Sequence, residues 1–339
     1  MQELEKVISR IEKMPRVRLT RLPTPLDELP SLTKMLGGPN VLIKRDDLTG
    51  MMFSGNKARK AEFLLGDAQA KKADVVLTTG SPNSNHARVI AAGARKLGME
   101  AILFIKGRKV SEYTGNLLLD AIFGADIRFA GIKPYSEIQT MMEFEADGLK
   151  DDGRRPYVIP AGGANAIGAT GYVNAFLELH AQAGKMGISL DYIVHCSGTG
   201  GTHSGFVYGA KAAGADTKIV TISDGTPREE LIADTKRLVG NLSTLFGLKV
   251  GLARDDLVVY DDRKYIGKGY GIPSKEGIDV IKMLAVNEGI LLDPVYSSKA
   301  MVGLMDLARK GVFKRGDNVV FLHTGGAPAI FSFGDEILG

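Results

Sequence analysis

A lysine-rich turn, Ser54-Gly55-Asn56-Lys57-Ala58-Arg59-Lys60, places three cations within four residues behind a glycine. An ε-amine held in such a place can form a Schiff base with an aldehyde while a second lysine meets a phosphate; the plain alternative is a solvated basic helix turn. Ser197-Gly198-Thr199-Gly200-Gly201-Thr202-His203-Ser204-Gly205 mixes glycines, which let a backbone approach a ligand, with threonine hydroxyls and successive N–H donors. That is an anion cradle on a helix N-terminus. It is neither the dinucleotide fingerprint, whose third glycine would fall on His203, nor a P-loop, since no Gly-Lys-Ser/Thr follows. In Thr79–Arg88, Ser84 and Asn85 can cap a helix whose free N–H groups could equally bind a carboxylate. His86 lies too close to Ser84 in sequence for a triad to be assumed. Leu291–Lys299, preceded by Gly269-Tyr270-Gly271, and Phe321–Gly326 each read singly as turns, with the tyrosines at core edges.

The five histidines show no metal-ligand spacing, and structural roles are expected for His180, His195 and His323. A single cysteine, Cys196, makes neither an internal disulfide nor a multi-cysteine metal site, so no metal is expected. Cys196 reads as buried packing, and the low cysteine usage suits a reducing, cytoplasmic compartment. Asp46-Asp47, flanked by Lys44 and Arg45, reads as a structural ion-pair cluster, and Arg228-Glu229-Glu230 as a solvated helix start.

Apolar runs of strand length precede several of these segments: Val75–Thr79, Ala101–Ile105, Ile127–Phe129, Tyr192–Cys196, Ile219–Ile222, Leu257–Tyr260 and Val319–His323. Helical stretches alternate with them, near 85–97, 113–123, 135–149, 168–181, 202–213, 274–287 and 297–308. The N-terminus reads as an amphipathic helix on Leu4, Val7, Ile8 and Ile11. Bare apolar strands alternating with helices predict parallel sheets covered on both faces. Ligands of such sheets bind beyond the carboxyl ends of strands. The strands fall into two groups, with glycine-rich joints at Phe53-Ser54-Gly55-Asn56 and Pro160–Ala164, so a small α/β domain (57–166) inserted in a larger one (1–56 and 167–339) is expected. At 339 residues about two domains are expected. Glycine, 42 residues or about 12%, exceeds the usual ~7% without any collagen period, so the excess must be local. A formal charge of +4, scattered among acids, marks no nucleic-acid patch, and no apolar run of 18 residues predicts a membrane span.

Taken together, eight segments in order resemble the fold-type II enzymes that use pyridoxal phosphate: Leu42–Leu48, Gly55–Lys60, Ser84–Arg88, Pro156–Gly171, Ser197–Gly205, Gly269–Pro273, Asp293–Met301 and His323–Ala329. The nearer resemblance is to the branch of D-cysteine desulfhydrases and 1-aminocyclopropane-1-carboxylate (ACC) deaminases. It implies a tryptophan synthase β-like fold of two doubly wound α/β domains with mostly parallel sheets, a homodimer, and a small amino-acid substrate. Residue by residue it implies Lys57 as the lysine bonded to the cofactor and Lys60 at its phosphate. Gly198, Thr199, Gly200, Gly201 and Thr202 would form the phosphate loop, and Asn85 would meet the phenolic oxygen. Asn83, Ser84, Asn85 and His86 would form the stretch that receives the substrate carboxylate. Tyr270 and Tyr296 would be the active-site tyrosines, and Ser297 the partner of the pyridine nitrogen, with Thr324 nearby. Lys57, Ser84, Tyr270 and Tyr296 are the expected catalytic residues.

Two positions separate the branches. ACC deaminases resemble Tyr-Glu where this chain has Tyr296-Ser297, and Leu-Gly-Gly where it has Thr324-Gly325-Gly326; the desulfhydrases carry threonine at both. A hydroxyl at the ring nitrogen, unlike a carboxylate, does not hold a proton there. That suits loss of a good leaving group from the β-carbon better than opening of a cyclopropane. The resemblance therefore implies β-elimination on a small sulfur amino acid, foremost D-cysteine to pyruvate, sulfide and ammonia, with L-cysteate sulfo-lyase or ACC deaminase as alternatives. Asn83 departs from the glutamine usual in the family, which leaves room near the carboxylate subsite for a different substrate.

Overall fold

The computed structural model describes residues 2–51, 53 and 55–339. Ten strands follow in chain order: β1 (Leu26–Glu28), β2 (Asn40–Lys44), β3 (Val75–Gly80), β4 (Glu100–Lys106), β5 (Asp126–Gly131), β6 (Pro156–Val158), β7 (Tyr192–Ser197), β8 (Lys218–Ser223), β9 (Val258–Tyr260) and β10 (Asn318–Leu322). They form a six-stranded sheet ordered β1-β2-β10-β7-β8-β9 and a four-stranded sheet ordered β5-β4-β3-β6. All pairings are parallel except β1 on β2. The strands of the smaller sheet all lie between β2 and β7 in sequence.

The apolar strands are buried on both faces because helices cover each sheet on two sides. Helices Gln2–Lys13, Ala166–Met186, Gly201–Ala213 and Arg228–Phe246 pack through Val7, Phe176, Phe206 and Leu242 onto one face of the larger sheet. Ile281, Leu284, Leu304 and Leu307, from helices Lys275–Glu288 and Ser297–Arg309, cover the other. The smaller sheet lies between helices Asn56–Ala70 and Asn85–Lys96 on one side and Tyr135–Asp151 on the other.

The strands expected from apolar runs are present within a residue or two. The short strands β1, β2 and β6 were not among those expected; β1 and β6, of three residues each, hold no apolar run of strand length. The solvated start at Arg228 opens a 19-residue helix. Asp46 and Asp47 are in ion pairs as expected: Asp46 Oδ1 lies 2.8 Å from Arg59, and Asp47 Oδ2 lies 2.8 Å from Arg45. No described helix is long and apolar enough to cross a membrane.

Candidate active site

A cavity of about 1000 Å³ opens at the carboxyl ends of the strands. Its walls come from the ends of β3 (Thr79–Ser81), β7 (Ser197–Thr199), β8 (Asp224–Thr226) and β10 (Thr324) and the turns that follow them. Of the anticipated residues, Lys57, Ser84, Asn85, His86, Gly198, Thr199, Thr202, Tyr270, Tyr296 and Thr324 line it.

Lys57 stands in the first turn of the helix Asn56–Ala70. Two contacts set where that helix begins. A Cβ on Gly55 would fall 2.0 Å from the Thr324 carbonyl oxygen, so only glycine lets the helix start against the end of β10. Asn56 donates its backbone N–H to that same carbonyl at 3.1 Å and its Nδ2 to Thr202 Oγ1 at 3.0 Å. Ser54 lies outside the described residues. Burial lowers the Lys57 ammonium to about 8, against the opposing pull of Asp224 and Cys196. Roughly a tenth of Lys57 is therefore a nucleophilic amine at pH 7, against well under a hundredth for an ordinary lysine.

Lys60, one turn on, is fully buried, and its only hydrogen bond among the described residues runs to the Gly162 carbonyl at 3.2 Å. Burial, with the Lys57 charge beside it, pushes its pKa well down. A Cβ on Gly201 would lie 2.6 Å from Lys60 Nζ, so the lysine sits directly against the cradle. Gly200 takes φ +71° as N-cap of the helix Gly201–Ala213, and no side chain caps that helix. Gly200 and Gly201 do not line the cavity but form the turn behind it. A buried lysine with no acidic partner among the described residues, beside a helix N-terminus that no described side chain caps, suits a phosphate. With an amine one turn away, these residues fit pyridoxal phosphate: Lys57 would hold its aldehyde carbon, Lys60 and the 198–202 turn its phosphate.

At the end of β3, Ser84 Oγ accepts from Ala87 N at 3.1 Å and so caps the helix Asn85–Lys96, while also facing the cavity. The backbone N–H groups of Asn85 and His86, in the first turn of that helix, have no acceptor among the described residues and can receive a carboxylate. The His86 ring cannot. Thr78 Oγ1 donates to Ile159 O at 2.9 Å, so His86 Nε2 must be the donor in its 2.9 Å bond to Thr78. Nδ1 is left as a buried acceptor with no partner among the described residues, and burial together with Lys57 and Lys60 drives the imidazole pKa well down. The carboxylate role expected of this stretch thus falls to backbone and Ser84, because a neutral ring acceptor repels a carboxylate. Asn83 is half-buried and outside the cavity lining; its N–H meets Ser81 Oγ at 3.2 Å.

The tyrosines come together as anticipated. Tyr270 and Tyr296 share a hydroxyl–hydroxyl hydrogen bond, and Tyr270 also meets Ser81 Oγ at 2.9 Å. Burial raises both phenols, so both stay protonated at neutral pH. Ser297 lies elsewhere: its Oγ donates to Asp293 Oδ1 at 2.6 Å, accepts from Asp293 N at 2.7 Å, and stays out of the lining. The Asp293 carboxylate is consumed there, Oδ2 taking the N–H groups of Val295 and Tyr296 at 2.8 and 2.9 Å and Oδ1 that of Ser297 at 2.8 Å. The hydroxyl residue of this pair that reaches the cavity is Thr324.

Among the lining residues outside the expected set are Asp224, Tyr135 and Cys196. Asp224 follows β8, with its carboxylate where a Cβ on Gly198 would fall (2.0 Å) and its pKa raised by burial. Its strand-end position before Gly225 was the available signal. Tyr135 enters from the N-terminus of the helix Tyr135–Asp151, where burial raises its phenol to about 12. Cys196 is buried, as expected, but also borders the cavity.

Residues 17–325 match the family described as pyridoxal-phosphate dependent enzyme. A protein of Pyrococcus abyssi, provisionally named as an ACC deaminase, is 40% identical over 98% of each chain. The protein of Methylobacterium nodulans named ACC deaminase is 38% identical over 96% of this chain and 98% of its own. The crystal structure of an ACC deaminase homologue superposes with a TM-score of 0.90 at 41% identity, covering 98% of both chains. Threonine deaminase isoform 2 of Solanum lycopersicum shares the fold, with a TM-score of 0.64 at 18% identity over 99% of this chain and 88% of that one.

Proposed function

We propose, from the premise that this chain belongs to the pyridoxal-phosphate dependent enzymes of fold-type II, that it is a lyase eliminating the β-substituent of a small sulfur amino acid. D-cysteine, giving pyruvate, sulfide and ammonia, is the leading substrate. The observation that carries the reading is the chemistry at the Ser297 and Thr324 positions. Neither bears a carboxylate, and the neighbouring Asp293 is spent on its own helix. A neutral hydroxyl there leaves the cofactor ring a moderate electron sink, sufficient when the leaving group is a thiol.

When bound, pyridoxal phosphate supplies the electron sink for cleavage of the Cα–H bond. This chain's residues do the rest. The backbone N–H groups of Asn85 and His86, with the Ser84 hydroxyl, orient the substrate carboxylate. Lys57 Nζ, deprotonated above about pH 8, takes the α-proton. Tyr270 and Tyr296, held as phenols, offer an O–H to the departing sulfur. Ser81 fixes the Tyr270 hydroxyl.

The test is incubation of the purified protein with D-cysteine, L-cysteate and ACC in parallel. Sulfide and pyruvate from D-cysteine support the reading, and their absence removes it. The names of the relatives favour a second reading, ACC deamination, which 2-oxobutyrate from ACC would establish; sulfite from L-cysteate would point to sulfo-lyase activity. The same proposal takes the working form as a cytoplasmic homodimer, which sedimentation checks for its size.

A further inference from the structure

We infer that Asn116, together with Arg88, locks the Asn85 side-chain amide so that it presents N–H donors, and not its oxygen, to the bound cofactor. Asn116 lies on the helix Gly115–Ile122, outside the cavity lining, and is 1% exposed. The assignment runs along one chain of hydrogen bonds with a donor at one end and an acceptor at the other. Arg88 has no acceptor atoms, so the Asn116 atom 2.7 Å from Arg88 Nε must be Oδ1. The other branch of that amide is then Nδ2, and it donates to the Asn83 carbonyl, an acceptor only, at 2.9 Å. The same Nδ2 lies 3.0 Å from Asn85, whose atom there must be Oδ1; Arg88 Nη2 donates to that oxygen as well, at 3.3 Å. With its oxygen held from behind by two donors, Asn85 has only its NH₂ left to face the cavity. Amide orientation is commonly ambiguous, but here both ends of the network are chemically fixed.

The inference rests on the cofactor family and not on the substrate. A donor at Asn85 favours a deprotonated oxygen on the cofactor; a lone pair there opposes it. Asn116→Asp keeps the shape and the Arg88 contact but replaces the donor by an acceptor, which turns the Asn85 amide over. The measurement is a visible-absorbance titration of the cofactor-free chain with pyridoxal 5′-phosphate, with the pH midpoint of the bound band. It is run on wild type, N116D, N85A and the double variant, with the thermal midpoint of each. The expected result is affinity weakened roughly 10- to 100-fold in N116D, with the band midpoint shifted to higher pH. In the Asn85→Ala background N116D should add nothing further. Equal losses with and without Asn85, or no loss in either, would overturn the inference and leave Asn116 a packing residue. If N116D does not fold, N116A in the same cycle deletes the donor without reversing it. A smaller loss that again vanishes without Asn85 then supports the inference, and an equal loss in both backgrounds overturns it. Failure to turn over D-cysteine would leave this titration unaffected.

Discussion

Lys57 is useful because it is a lysine out of place. Burial takes it from an ordinary 10.5 to about 8, so the free amine gains population as pH rises through that value. The rate of covalent cofactor attachment should therefore climb about tenfold per pH unit below 8 and level off above it, followed by borohydride trapping and mass mapping of Lys57. Lys57→Ala should take up no trappable cofactor. The two phenols are tuned the opposite way. Tyr296→Phe should cost about 10²- to 10⁴-fold in kcat for elimination with the cofactor spectrum retained, as loss of a proton donor predicts. Motif chemistry in the sequence pointed to Lys57, Ser84, Asn85 and Thr202, which lie close to a glycine or a strand end, and the family resemblance added the tyrosines. Asp224 and Tyr135 escaped, because one acid after a strand and one tyrosine at a helix start look like any other until the sheets face each other.

At the scale of elements, one helix carries both Lys57 and Lys60, and its placement rests on buried charge. Arg59, 1% exposed, donates to Asp46 and Glu178, each at 2.8 Å, and Lys44 pairs with Glu178 at 2.6 Å. Tyr172 of the helix Ala166–Met186 adds a 2.6 Å bond to Asp46. Arg59→Ala leaves the buried Asp46 carboxylate without its guanidinium and weakens the Glu178 pairing, and should destabilise the fold by about 3–5 kcal/mol, read by urea unfolding. The other end of this placement is steric. Gly55→Ala meets a backbone carbonyl that cannot move aside, so cofactor affinity should fall along with the thermal midpoint. Ser297 shows the limit of reading an element by resemblance. Its place in the sequence suggested the ring nitrogen, yet as the first residue of its helix its hydroxyl is taken by Asp293, which accepts the free N–H groups there.

On the scale of the molecule, a buried histidine pair joins the larger sheet to the helix behind the cradle, His195 on β7 and His203 on the helix Gly201–Ala213. His195 Nε2 and His203 Nδ1 both meet Thr221 Oγ1, at 3.1 and 2.7 Å. Burial lowers His195 from 6.5 to about 4 and lowers His203 as well. The unfolded chain thus binds protons that the folded chain refuses. Stability should be flat above pH 6.5 and fall as pH drops from 6.5 toward 4, by about 2 kcal/mol from His195 alone between pH 6.5 and 5. Urea midpoints at pH 7, 6 and 5 check this, and His195→Gln should flatten the decline. Local pattern was enough for the sequence by itself to determine the α/β class, the major strands and helices, the anion cradle and the lysine, because apolar period and glycine-rich strand ends are properties of neighbouring residues. The tertiary structure decided what depends on residues far apart in the chain. It brought the ends of β3, β7, β8 and β10 around one cavity, lowered Lys57 by burial, removed Ser297 from that cavity and left Thr324 in it. It also oriented Asn85 through Asn116 of another helix. Burial and hydrogen-bond direction are set by what packs opposite a residue, and that is known only once the two sheets have met.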